Sequence, residues 1–148
     1  MLLTALALSA TLQFDCPATI ETRQQPLGTT QGWHAVTRNE LGEQHQPLRH
    51  RLENLALFDG DPDERAQLKP DNGDSHAIHY WSLDRHNPRP FYLVCHYQET
   101  AITLQQALPA GIGYCRVNQP APYDLRGLIC RSERPLRHDR VTVSTNSE

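Results

Sequence analysis

Six carboxylates crowd one stretch of the chain: Asp59, Asp61, Asp63, Glu64, Asp71 and Asp74. The first three have the i, i+2, i+4 spacing that opens a calcium-binding EF-hand loop, where alternate oxygens wrap one hard cation. Such a loop also needs glycine at its sixth place and a bidentate glutamate at its twelfth. Here those places hold Glu64 and Pro70, so calcium is not the reading. Asp61-Pro62-Asp63-Glu64 is instead a helix start: Asp as N-cap, Pro at the first helical position, acids where the macrodipole favours them. The pattern predicts one short helix over residues 62–68, stopped by Pro70, within a solvated acidic loop. Asp59, Asp61, Asp63, Glu64 and Arg65 then form the charged, solvated start of that loop.

The other reactive side chains do not assemble into a motif. Of the 8 histidines, His76 and His79 are three apart, a spacing that converges on a helix. Tyr80, Trp81 and Leu83 make the neighbourhood a strand, where that spacing points side chains to opposite faces. His34, His86 and His96 are isolated. There is no Gly-x-Ser-x-Gly elbow, no His-Glu-x-x-His, and no Cys-x-x-Cys. We therefore expect no catalytic residue, no metal and no cofactor. Trp33, Trp81 and Tyr92 are candidates to line a ligand groove, which keeps an alternative function open: a non-catalytic envelope module for a small ligand or glycan.

The elements that must position these residues are strands. Phe91-Tyr92-Leu93-Val94-Cys95-His96-Tyr97 puts residues 91, 93, 95 and 97 on one face and 92, 94 and 96 on the other. Both faces are largely apolar, as in a central strand covered on two sides. Further strands are expected at 16–22, 32–37, 51–58, 78–83, 102–104, 112–117 and 128–130, separated by turns such as Asp71-Asn72-Gly73-Asp74. With 11 prolines and 8 glycines, the chain reads as mainly β, an antiparallel sandwich or partly open barrel.

Cys16, Cys95, Cys115 and Cys130 are an even set in a short chain, a disulfide framework with three connectivities open to it. Tyr114 to Val117 follows the 91–97 strand at hairpin distance, which favours Cys95–Cys115 and leaves Cys16–Cys130. Residues 1–10, MLLTALALSA, are uncharged and apolar, too short for a span of about 20 residues. They match the core of an export signal cleaved after Ala10, although no Lys or Arg precedes the run. A periplasmic location follows, with no membrane span. The domain is 11–131, and 132–148 is a polar tail. A net charge of −3 with scattered Lys and Arg excludes a nucleic-acid stripe.

The ordered set Cys16-Pro17, Gly32-Trp33, Phe58-Asp59-Gly60-x-Pro62, Leu68-x-Pro70, Trp81-x-Leu83 resembles part of a known pattern. It continues through Tyr92-Leu93-Val94-Cys95-x-Tyr97, Leu108-Pro109, Cys115 and Ile129-Cys130. The chain resembles a family of small, four-cysteine periplasmic proteins of Gram-negative bacteria, some encoded near type VI secretion genes. The resemblance implies an immunity protein that binds and blocks a secreted peptidoglycan-targeting enzyme, and it implies no catalytic residue. On that resemblance the acidic 59–74 segment would be the part that meets the enzyme, with Asp59, Asp61, Asp63, Glu64 and Arg65 as the partner-binding residues.

Overall fold

The computed structural model describes residues 10–133. All but the last residue of the segment read as an export signal, and most of the segment read as a polar tail, lie outside the described residues. In chain order the strands are β1 (Leu12–Asp15), β2 (Thr19–Thr22), β3 (Leu48–Asp59), β4 (Tyr80–Ser82), β5 (Phe91–Tyr97), β6 (Thr103–Ala107), β7 (Tyr114–Asn118) and β8 (Gly127–Arg131). They form two four-stranded antiparallel sheets, ordered β1-β8-β7-β4 and β2-β3-β5-β6. No helix long and apolar enough to cross a membrane occurs among the described residues.

The 91–97 run is β5, the strand that most of the second sheet leans on, with β3 on one side and β6 on the other. Phe91, Leu93, Cys95 and Tyr97 all enter the core, as period-two alternation requires. β3 manages the same with a defect. Leu52 pairs with Tyr97 but Asn54 pairs with His96, so Glu53 is an extra, bulged residue. The bulge shifts the alternation by one, which brings Leu52 onto the core side with Leu55 and Leu57. The first sheet answers with one continuous row, Cys130 opposite Cys115 and Cys115 opposite Trp81. Leu57, Leu93, Ile112 and Leu128 are fully buried between the sheets, each worth roughly 1.5–3 kcal/mol relative to exposure.

Two polar ties hold the thin end of the second sheet. His50 is buried, and its Nδ1 lies 2.7 Å from the Gln98 carbonyl while its Nε2 lies 2.6 Å from the Thr22 hydroxyl. Since a carbonyl only accepts, Nδ1 carries a proton and donates to Gln98, and the Thr22 hydroxyl partners Nε2. The Tyr97 hydroxyl donates to the Pro17 carbonyl at 2.8 Å, and burial pushes its pKa up.

Four expectations need correction. The disulfides are Cys16–Cys95 and Cys115–Cys130, not Cys95–Cys115 with Cys16–Cys130. β6 returns beside β5, but after the Pro109–Gly111 turn the chain crosses to the other sheet. β7 therefore lies between β4 and β8, and Cys115 faces Cys130 with their Cα atoms 4.1 Å apart. Cys16 sits where the chain leaves β1 for β2, so its bond to Cys95, across a Cα separation of 6.0 Å, ties the two sheets together. The helix over 62–68 is a single 3-10 turn, Pro62–Glu64, ended by Arg65 in the left-handed region at φ 62°. Residues 32–37 form no strand: Gly32 turns the chain at φ +85° and Trp33 is exposed. The first strand read at 16–22 is only Thr19–Thr22, and an unforeseen strand, Leu12–Asp15, precedes the Cys16 crossing.

Candidate partner-binding site

The acidic segment is a tight projection from the end of β3. Past Asp59 the chain turns and folds back, with Asp59 N donating to the Ala66 carbonyl at 3.0 Å and Leu68 N to the Leu57 carbonyl at 2.8 Å. As the N-cap reading required, the Asp61 carboxylate accepts from Asp63 N, at 2.9 Å. The acids do not act alike, because Arg89, from the loop before β5, reaches over them. Its guanidinium pairs with the Glu64 carboxylate and, at 3.5 Å, with Asp59, and also donates to the Asp59 carbonyl at 3.0 Å. Asn87 adds a bond to the Asp59 carboxylate at 2.8 Å. Glu64, then Asp59, hold the Arg89 pKa above its ordinary value. Asp59 and Glu64 are thus internal braces, while Asp61, Asp63 and Arg65 remain exposed on the turn.

Arg89 and Asn87 were not legible as site residues. They lie in a proline-flanked loop distant in sequence, and only the β3–β5 register, with Asp59 opposite Phe91, brings them to the turn.

Next to the projection runs a groove of about 910 Å³. One wall is β3 from Arg51 to Ala56, which includes the Glu53–Ala56 edge left between β2 and the returning Ala66–Leu68 segment. The other walls are residues 67–79 and the β7–β8 connection, which places Tyr123 at the rim, almost fully exposed. Leu55, Leu68, Val117 and Leu125 give the groove apolar floor, and Arg51, Lys69, Glu53 and Asp74 give it balanced charge. Trp81 borders it, its indole N–H donating to the Leu68 carbonyl at 3.1 Å. His76 and His79 also line it, and no group of three metal-ligating side chains forms among the described residues.

The three aromatics named as a ligand groove are not brought together. Trp81 is buried at the groove's base, Trp33 stands in the β2–β3 connection, and Tyr92 is half-buried on the face of β5 opposite Leu93. The geometry is that of a braced acidic projection beside an open, mixed-charge groove, a surface suited to receiving another macromolecule.

A family model described as the type VI secretion system Tli immunity protein matches residues 44–132. The match takes in β3 through β8, the acidic turn, Arg89 and every residue of the groove. No curated protein matches the chain, and no solved structure does. With more than half its length matched, including the whole candidate site, the chain belongs to the Tli immunity protein family of the type VI secretion system.

Proposed function

We propose that this protein is an exported, non-catalytic immunity protein that binds a type VI effector and blocks it in the periplasm. The effector is an enzyme that attacks the cell envelope, with peptidoglycan the substrate class implied by the sequence resemblance. The observation that carries the reading is family membership in a chain whose four cysteines are all paired and buried in the core. Structural disulfides persist in oxidising compartments, and an immunity protein works where its effector does. The exposed Asp61 and Asp63 support an electrostatic part in capture, since local negative charge speeds encounter with a basic enzyme.

The test uses the effector encoded beside the chain's own gene, purified and titrated with the full chain. The expected result is a one-to-one complex and loss of the effector's release of soluble fragments from peptidoglycan sacculi. Absence of a complex overturns the reading. A complex with an effector that leaves sacculi intact but cleaves membrane lipid overturns the substrate class alone. The groove's volume, in the range of ligand sites, favours one second reading, a glycan or small-ligand binder. Calorimetric titration with soluble muropeptides tests it, and no heat of binding sinks it.

A further inference from the structure

The connection from β2 to β3 runs from residue 23 to residue 47, although hairpin neighbours need only about two to five residues. It carries Leu27, Trp33, Val36 and Leu41, all exposed, with Trp33 75% and Leu41 82% accessible. Nothing in the core uses these side chains. Leu27 is the most exposed of them, but Trp33 and Leu41 are the ones held on hydrogen-bonded turns. Trp33 follows a turn closed by its own N–H on the Thr30 carbonyl at 3.0 Å, with Gly32 at φ +85°. Leu41 tops a small hairpin in which the Asn39 carboxamide oxygen accepts from Leu41 N at 3.0 Å and Glu43 N at 2.9 Å. The Arg38–Gln44 bridge and the Arg38 bond to the Gly42 carbonyl at 2.9 Å close its base. Both apolar side chains are held out on hydrogen-bonded turns.

We infer that the Trp33 and Leu41 turns are the apolar anchor with which this chain holds its effector. The inference rests on the immunity reading and deepens it. Family membership requires a protein partner, and the family match begins at residue 44, so both turns belong to a part of the chain outside it, where recognition of one particular effector can reside. Binding energy concentrates in a few aromatic and apolar side chains that enter pockets, and holding them in place beforehand lowers the ordering cost. The connection's charges cancel, Arg23 and Arg38 against Glu40 and Glu43, so it fits an uncharged pocket. The acidic turn follows the far end of β3, a strand roughly 35 Å long at about 3.3 Å per residue, whereas this connection precedes its start. The two surfaces therefore divide the work: the acids hasten approach, and the apolar turns set residence.

Biolayer interferometry of the full chain against the purified product of the neighbouring effector gene tests this. Trp33→Ala/Leu41→Ala is expected to weaken binding by about thirtyfold or more through faster dissociation, with an unchanged thermal midpoint because both side chains are exposed. Asp61→Lys/Asp63→Lys is expected to slow association and leave dissociation alone. If the wild type binds and the Trp33/Leu41 variant binds within about twofold of it, the inference fails while the immunity reading stands. It fails equally if that variant alters only self-association of the chain. If the wild type forms no complex, the immunity reading falls and takes this inference with it.

Discussion

Replacing Cys16 and Cys95 together by alanine should cost more stability than replacing Cys115 and Cys130, although the second pair is the more deeply buried. The first bond joins residues 79 apart and the second residues 15 apart. A cross-link removes from the unfolded chain an entropy of about 2.1 + 1.5R ln n cal/mol/K for a loop of n residues. At 25 °C this gives about 4.5 kcal/mol for Cys16–Cys95 and about 3 kcal/mol for Cys115–Cys130. Each variant deletes the same two sulfur atoms from the core, so the packing loss largely cancels in the comparison. Against a typical domain stability of about 5–15 kcal/mol, losing the long loop leaves a small margin. Urea titration under non-reducing conditions, followed by the fluorescence of buried Trp81, reads both effects. The Cys16→Ala/Cys95→Ala variant should show the lower midpoint and the larger rise in denaturant slope, because its unfolded chain opens further. If Cys115→Ala/Cys130→Ala is the less stable of the two, loop entropy is not what the bonds supply and the argument is refuted.

Three further outcomes are expected. His50→Ala strands the Thr22 hydroxyl and the Gln98 carbonyl beside a cavity and should cost about 2–4 kcal/mol, read as a fall in thermal midpoint. Tyr97 has its folded-state pKa raised by burial, so its contribution is fully present below about pH 10 and is lost as pH rises beyond the unfolded value. Tyr97→Phe should flatten that alkaline decline in urea midpoint; an unchanged slope between the two proteins contradicts it. A Cβ on Gly127 would lie 1.9 Å from the Phe14 carbonyl oxygen, so Gly127→Ala should push β1 off β8, seen as faster hydrogen exchange confined to residues 12–15.

The sequence made the strands legible wherever alternation was strong and local. Phe91–Tyr97 is the clearest case, and the 51–58, 112–117 and 128–130 readings fall within two or three residues of β3, β7 and β8. What it hid was every decision taken between strands. Hairpin distance from Cys95 to Cys115 looked like adjacency, but the Pro109–Gly111 turn carries the chain to the other sheet, and nothing local records that crossing. The bulge at Glu53 was equally silent, since it is defined only by the partner strand. Gly32-Trp33-His34-Ala35-Val36 has strand composition, yet no neighbour pairs with it and the glycine's positive φ turns it instead. At the candidate site the acidic cluster and its Asp61 cap were readable. Its division into braced Asp59 and Glu64 and exposed Asp61 and Asp63 depends on Arg89, a residue some thirty positions away whose arrival is a matter of register.

The Cys16–Cys95 bond also sets a timetable. A chain made from its amino end exposes the first thiol long before the second exists, and Cys115 follows Cys95 while Cys130 is still to come. For that interval the nearest thiol to Cys95 in sequence is the wrong one. The native arrangement needs the last strand before its short-range pair can close, so a Cys95–Cys115 bond made in that interval would be undone only by thiol–disulfide exchange. If Cys16–Cys95 closes while Cys16 is the one thiol Cys95 can meet, the wrong pairing is shut out and Cys115 is left free for Cys130.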